Sequence, residues 1–235
     1  MNKPDYKIVC FTCKRDEELL PIHYKQIMKV NPNHEVYYIV DESEIEQMKF
    51  PKGSTPLASD FMRNGNLIGI EALQGIIATY SYLNSNILKI DSDIMLMSDT
   101  WIETKSSMQG FTPSKSFTIH GSCYFINKEC VDKVRHFVSN YYEDTLNNRC
   151  EDQTITTIAA IVSSPYKVLI QPSITKGSPN SCIFTNAMFN EPNVIREIKC
   201  CINCGDAAYL EQYLASGLDR TAQVKRAMAF VLSKR

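Results

Sequence analysis

The stretch that decides the fold is NILKIDSDIMLMSD (86–99), in which Asp91 and Asp93 interrupt a run of Ile, Leu and Met. A buried carboxylate is costly unless it is paired or bound to a cation. Residues i and i+2 of an extended segment face the same side, so Asp91 and Asp93 are expected to project together while Ser92 points away. Their oxygens suit one hard cation, Mg²⁺ or Mn²⁺. The alternative is that they only end a strand and cap a turn.

Two strand and helix units precede this stretch. The apolar runs at 6–13 and 34–43 predict buried strands, while 19–30 and 67–83 carry apolar residues at helical spacing. The Gly-, Pro- and Ser-rich segment at 52–66 is predicted to be a loop. Strands alternating with helices predict an α/β fold with a Rossmann-like, mostly parallel sheet flanked by helices on both faces. Nucleotides bind at the carboxyl ends of the strands in such sheets.

The second half of the chain is less regular. It predicts one or two strands around Phe117–Asn127, an amphipathic helix at about Glu129–Asp144, a helix from Glu151 and a strand at 166–172. A long loop at 173–193 and helices to the C-terminus are expected beyond them. The length suits one domain, divided into about 1–98 for nucleotide binding, 99–170 for acceptor binding and catalysis, and 171–235 for a C-terminal loop and helices.

Composition excludes some classes. A net charge of −1 over 235 residues gives no field that would recruit nucleic acid. Nine cysteines, the lack of an Asn-x-Ser/Thr sequon and the lack of an apolar leader favour a reducing, cytoplasmic setting. Two Cys-x-x-Cys pairs could hold a structural zinc, but buried or merely exposed thiols are the favoured interpretation; the cysteines concerned are Cys10, Cys13, Cys200, Cys201 and Cys204.

The segment ILKIDSDIMLM (87–97) resembles the Asp-x-Asp segment of nucleotide-sugar glycosyltransferases of the GT-A fold. Further segments match in the same order: KIVCFT (7–12), the strand-end Asp41, HGSCYFINKECVDKV (120–134) and EDQTIT (151–156). The resemblance covers about residues 6–170. It implies transfer of a sugar from a nucleoside diphosphate donor, with Mn²⁺ or Mg²⁺ stabilising the charge on the departing diphosphate.

The resemblance also implies roles for particular residues. Asp93 would ligate the metal directly, and Asp91 would bind it more loosely or through water while facing the ribose or sugar. Donor contacts would come from Thr12, Arg15, Asp41, Arg63 and Asn66. Simpler alternatives are a helix cap for Thr12, a solvated turn charge for Arg15 and a turn cap for Asp41.

Asp152, with Glu151 beside it, is the candidate catalytic carboxylate. In inverting members of such folds a carboxylate here deprotonates the acceptor hydroxyl, whereas in retaining members it holds acceptor or sugar. EDQ fits both patterns, so the stereochemistry stays open, and both acids could simply favour a helix start. His120 could bind sugar, although a structural role is favoured, and Trp101 and Phe111 are expected to pack.

The acceptor is not specified by the sequence. A glycan or lipid-linked hydroxyl is favoured over nucleic acid. A weak contact with an anionic membrane through a basic C-terminal helix is conceivable, although a docked helix with a solvated edge is favoured; its charges are Arg220, Lys225, Arg226, Lys234 and Arg235. The competing functions are a nucleotidyltransferase of similar fold, which would usually carry a Gly-rich phosphate loop, and a catalytically inactive nucleotide-sugar-binding module.

Overall fold

The structure is a computed structural model that describes residues 5–62, 67, 69–92, 94–96, 99, 101–112, 119, 121, 123–141, 151–170 and 183–185. Its helices are α1 (Leu20–Val30), α2 (Ile70–Leu83), α3 (Lys128–Tyr141) and α4 (Glu151–Val162), with 3₁₀ helices at Lys14–Leu19 and Ile45–Gln47. Its strands are β1 (Lys7–Phe11), β2 (Val36–Asp41), β3 (Thr55–Ser59), β4 (Ile87–Ile90), β5 (Ile94–Leu96), β6 (Met108–Thr112), β7 (Cys123–Ile126), β8 (Tyr166–Ile170) and β9 (Ile183–Thr185).

The described strands form a seven-stranded sheet in the order β3-β2-β1-β4-β7-β6-β8 and a separate pair, β5 and β9. Strands β3, β2, β1 and β4 are mutually parallel, and β8 is parallel to β6. Only β7 runs antiparallel to its neighbours β4 and β6 within this sheet. The predicted α/β class and the mixed, mostly parallel sheet are confirmed.

A separate hydrophobic core covers each face of the sheet, because successive strand residues point to opposite sides. In β1, Ile8 and Cys10 join the core that includes Leu20 and Ile27 of α1. Val9 and Phe11 join the opposite core, which includes buried residues of α2, α3 and α4. Helices therefore cover both faces, as the alternation of elements predicts.

Three strands lie where the sequence predicts loop or no element. Strand β3 lies inside the segment predicted to be a loop, and it pairs only with β2 at the edge of the sheet. An edge strand tolerates Pro56, which lacks an amide donor and lowers the strand signal. Strand β6 precedes the predicted strand region, and the three-residue β9 lies in the predicted long loop. Short strands at glycine- and proline-rich positions give little periodicity to detect.

The ends of α2 depend on backbone conformations that the sequence supplies. Gly69 precedes the helix with φ of 90°, a region that glycine enters without steric cost. Asn84 closes the helix with φ of 49°, and its amide donates to the carbonyl oxygens of Tyr80 and Ser81. Gly69 thus begins α2, and Asn84 ends it shortly before β4 begins at Ile87.

No helix within the described residues has the length and apolar character needed to cross a membrane. The predicted C-terminal helices lie outside the described residues, together with their basic side chains and Cys200, Cys201 and Cys204.

His23 of α1 is fully buried in the face covered by that helix. Its Nδ1 lies 3.0 Å from the hydroxyl of Tyr38, and its Nε2 has no hydrogen-bond partner among the described residues. Burial lowers the pKa of His23 from 6.5 to about 3. Burial also lowers the pKa of His34, although Asp99 opposes that shift. Both histidines are therefore neutral in the folded protein at neutral pH.

We expect acid to destabilise the protein through His23. Below pH 6.5 the unfolded chain takes up a proton that the folded chain binds only near pH 3, so stability is lost as pH falls through that window. The contribution of one such histidine between pH 7.5 and pH 5 is about 2 kcal/mol. Chemical denaturation at both pH values should show a smaller loss in His23→Gln than in wild type. The exposed His136→Gln is the control, and an equal loss in all three proteins would contradict the assignment.

Candidate functional site

The connectivity of the sheet singles out one edge. Strands β2 and β3 lie on one side of β1, whereas β4 lies on the other, so the chain reverses its direction across the sheet between β1 and β4. Parallel sheets bind ligands in the crevice outside the carboxyl ends of the strands at such a switch point. Thr12 follows β1, Asp91 follows β4 and Asp41 ends β2. Three of the predicted site residues therefore lie along this edge.

Asp91 is held by a lysine from its own strand. Lys89 is fully buried in β4, and its Nζ lies 2.5 Å from Asp91 Oδ1. The same ammonium group donates to the carbonyl oxygen of Gly121 at 2.7 Å and lies 6.0 Å from the ring centroid of Tyr124. Lys89 and Asp91 are two residues apart at a strand end, which brings them to one side of the sheet. The Asp91 side chain is 35% exposed, so this ion pair combines a buried cation with a partly exposed carboxylate.

Ser92 is held from the other side of the crevice. Its hydroxyl donates to Oδ2 of Asp16 at 3.1 Å, although the two residues are 76 positions apart. Asp16 belongs to the 3₁₀ helix after β1 and also accepts from Nε of Arg15 at 3.1 Å. The turn after β1 is thus tied to the residue between the two aspartates.

Strand β4 ends at Ile90, and Ser92 lies in a turn. The extended strand therefore ends before Asp91. Asp93 lies outside the described residues, so the expectation that Asp91 and Asp93 face one side stays a prediction.

Thr12 and Cys13 follow β1 at the same edge, and both are buried. The amide of Thr12 donates to the carbonyl oxygen of Ile39 at 3.0 Å, while its Oγ1 has no hydrogen-bond partner among the described residues. Burial, reinforced by the nearby charge of Asp16, raises the pKa of the Cys13 thiol. The thiol is therefore protonated near neutral pH, and the oxygen atoms are the available hard ligands of this edge.

Asp41 and Arg15 have the structural contacts expected from their simpler alternatives. Oδ1 of Asp41 accepts from the amide of Ser43 at 2.9 Å and from its hydroxyl at 2.7 Å, so the turn cap is confirmed. The Arg15 side chain is 57% exposed and pairs with Asp16. Their roles in donor binding remain predictions.

Several predicted site residues, or their side chains, lie outside the described part of the chain. Arg63, Asn66 and His120 lie outside the described residues, as Asp93 does. Glu151 and Asp152 begin α4, which confirms the predicted helix start, but their side chains are outside the described part. Trp101 packs against the core on the α1 face, in agreement with the expected packing role.

Metal ligands are few in the described part of the chain. No three or more His, Cys, Asp or Glu side chains come together there in a way that could hold a metal ion. Cys10 and Cys13 are buried and form no disulfide within the described part, and Cys10 packs in the α1-side core as a small apolar residue would. A site that completes its coordination with substrate phosphates needs only one or two protein carboxylates.

Solved structures of other proteins resemble this chain in fold. The apo form of the glycosyltransferase GlyE of Streptococcus pneumoniae TIGR4 matches with a TM-score of 0.50 at 12% sequence identity, over 97% of this chain and 64% of GlyE. A second GlyE structure gives 0.48 at 13% identity, over 98% of this chain and 64% of that one. An active-site mutant of LgtC gives 0.42 at 10% identity, over 69% of this chain and 72% of that one.

The chain therefore shares the fold of the glycosyltransferase GlyE. The identity to GlyE is low, so the likeness extends to the fold alone, and the chain spans 64% of the length of GlyE. No family model matches the sequence, and no curated protein matches it. Within this fold, Asp91 and Ser92 lie at the switch point.

Three residues of this edge were not predicted from the sequence to belong to the site: Lys89, Asp16 and Ser92. Lys89 carried a usable signal, since a lone cation stands two residues before an aspartate inside an apolar strand. Asp16 and Ser92 carried none, because their contact depends on the pairing of β1 with β4.

The hydroxyl of Thr12 can be tested in the ligand-free protein. We expect Thr12→Val to leave the free energy of unfolding unchanged or to raise it by up to about 1 kcal/mol, because it removes a buried hydroxyl without a partner in the described part. The matched control is Thr156→Val, whose buried hydroxyl donates to the carbonyl oxygen of Ile119 at 2.9 Å. That variant should lose about 1 kcal/mol in urea titrations. A similar loss for Thr12→Val would show that its hydroxyl is paired.

Proposed function

We propose that this protein is a metal-dependent glycosyltransferase of the GT-A type, which moves a sugar from a nucleoside diphosphate donor to an acceptor hydroxyl. The observation that carries the proposal is the position of Asp91: it follows β4 at the switch point of a glycosyltransferase fold and belongs to an Asp-Ser-Asp triplet. A ligand placed in this crevice would meet residues from β1 and β4 together.

The donor would bind along the edge formed by β1, β2 and β4. The buried hydroxyl of Thr12 suits a hydrogen bond to the nucleoside, and Asp41 lies at the end of the neighbouring strand. Arg63 and Asn66 precede α2 in the sequence and would meet the diphosphate near its amino end, which favours anions. Arg15 is partly exposed beside Asp16 and would add positive charge.

A divalent cation fits the chemistry of this edge. Asp91 supplies carboxylate oxygen, Asp93 is its neighbour in the triplet, and the Cys13 thiol is kept protonated by burial. Mg²⁺ and Mn²⁺ take oxygen ligands and complete their coordination with substrate phosphates and water. When bound, such a cation would offset the negative charge that builds on the diphosphate as it departs. Asp93 would be its main ligand.

In the transfer step, the acceptor oxygen forms a bond to the anomeric carbon while the bond from that carbon to the diphosphate oxygen breaks. The proton of the acceptor hydroxyl must go to a base. Asp152, with Glu151 beside it at the start of α4, is the proposed carboxylate. The proposal leaves open whether the sugar retains or inverts its configuration. We propose a glycan or lipid-linked hydroxyl as acceptor.

Donor binding is the first test. Thermal unfolding is measured with a panel of nucleotide sugars, each with and without Mn²⁺, on wild type, Asp93→Ala and the exposed control Asp132→Asn of α3. A donor at about 100 times its Kd stabilises by about 2.7 kcal/mol, which gives a clear rise in Tm. We expect a metal-dependent rise with one donor, lost in Asp93→Ala and kept in Asp132→Asn. The proposal fails if no donor changes the Tm of wild type.

Asp152 is tested on turnover of the donor identified above. Transfer of its sugar to water requires no knowledge of the acceptor. We expect Asp152→Asn to lower this rate by about 100-fold or more while donor Kd changes little, since a general base acts on the reacting hydroxyl. The exposed Asp132→Asn of α3 is the control and should keep the wild-type rate. An unchanged rate in Asp152→Asn would remove this residue from catalysis.

A further inference from the structure

We propose that Lys89 is a positioning residue for donor binding, because its buried ammonium group fixes the Asp91 carboxylate against the segment that begins β7. The inference rests on the proposed function and names a residue that the donor and metal roles above leave out. Lys89 does not itself meet the donor in this proposal; it acts through Asp91.

The geometry gives Lys89 two anchors that belong to different parts of the chain. Its Nζ contacts Oδ1 of Asp91 on the β4 side and the carbonyl oxygen of Gly121 on the β7 side, at 2.5 and 2.7 Å. The hydroxyl of Tyr124, whose ring lies beside the ammonium group, is 2.8 Å from that of Tyr80 in α2. The ammonium group of Lys89 is thus buried and hydrogen-bonded, which restricts the orientation of the Asp91 carboxylate that it contacts.

Stability alone does not explain a buried lysine at this position. Replacing a buried ion pair by apolar residues of similar volume is often neutral or stabilising, so a strand core is better served by an aliphatic side chain. The neighbouring β4 residues Ile87, Leu88 and Ile90 are aliphatic and fully buried. The ammonium group is the exception in this strand, and its charge is directed to Asp91, the carboxylate that follows β4 at the switch point.

The charge pairing also limits what Asp91 does. Oδ1 faces a cation of the protein, so this oxygen is a poor ligand for a second cation at the same place. Asp91 is therefore suited to bind the metal loosely or through water and to accept hydrogen bonds from the sugar or ribose, while Asp93 is the main metal ligand. Removing Lys89 would free the carboxylate to turn and would add one uncompensated negative charge beside the diphosphate.

The chain contains a matched control. Lys7 in β1 also donates to a main-chain carbonyl, that of Leu83 at 3.1 Å. It lies 3.7 Å from a carboxylate oxygen of Glu35 and 5.4 Å from the ring centroid of Tyr37. Lys7 begins β1, at the end of the strand opposite to the candidate site. Lys7→Met therefore removes similar contacts away from the donor.

The experiment measures, by calorimetry, the Kd of each of the nucleotides UDP, GDP, ADP and CDP in the presence of Mn²⁺. The protein is folded and kept at low temperature. The variants are Lys89→Met, Lys89→Gln, Lys89→Arg and the control Lys7→Met. Lys89→Gln decides the result if Lys89→Met does not fold, because it keeps a donor for the Gly121 carbonyl but removes the charge. Lys89→Met and Lys89→Gln are also made in an Asp91→Asn background.

We expect the neutral variants to weaken nucleotide binding by about 10- to 100-fold, the usual effect of losing a residue that orients a ligand. Lys89→Arg should restore binding to within about threefold of wild type and Lys7→Met should not alter it, since the effect follows the charge at this position. In the Asp91→Asn background the neutral variants should change Kd less than about twofold, because the two residues act as one unit. A merely structural lysine would lower stability without this pattern.

Two results would overturn the inference, and they differ in what they imply for the proposed function. Wild-type binding retained in folded Lys89→Met or Lys89→Gln would remove the positioning role and leave the proposed function intact. An absence of binding to wild type with all four nucleotides would overturn the proposed function, and the role of Lys89 with it.

Discussion

The structure depends on the pairing of β1 with parallel neighbours on both sides. Strand β1 is paired with β2 along one edge and with β4 along the other, and its central residues are fully buried on both faces. Parallel strands covered on both faces are usually near-continuous apolar runs, which explains the run from Ile8 to Phe11. Because β2 and β4 run in the same direction as β1, their carboxyl ends must meet at one edge. The candidate site is a consequence of that constraint.

Charge pairing within the protein sets the electrostatics of this edge. Asp91 is paired with Lys89, and Asp16 with Arg15, so two carboxylates are offset by two cations before any ligand arrives. A buried or half-buried charge is tolerable only with such partners. These two ion pairs reduce the repulsion that a diphosphate would meet from Asp91 and Asp16. Under the proposed function, a divalent cation would supply further attraction for its negative charge.

Local sequence patterns explain which parts of the fold and of the candidate site could be predicted. Strand β4 and the carboxylate at its end were predictable, because an apolar run that stops at Asp91 is a one-dimensional signal. The cap formed by Asp41 was predictable as an alternative for the same reason, since its partner Ser43 is two residues away. Strand β3 was missed because Pro56 hides an edge strand. The bond between Ser92 and Asp16 could not be predicted, because no local pattern encodes a contact that spans 76 residues.

The change of strand direction beside β4 has a consequence for the site. Strand β7 runs antiparallel to β4, with Cys123 opposite Ile90 and Ile126 opposite Ile87. The start of β7 therefore lies at the end of β4, which brings Gly121 within reach of Lys89. A parallel strand at this position would carry its first residues to the opposite edge of the sheet. The mixed sheet thus places Gly121, which precedes β7, close to Asp91, which follows β4, and Lys89 contacts both residues.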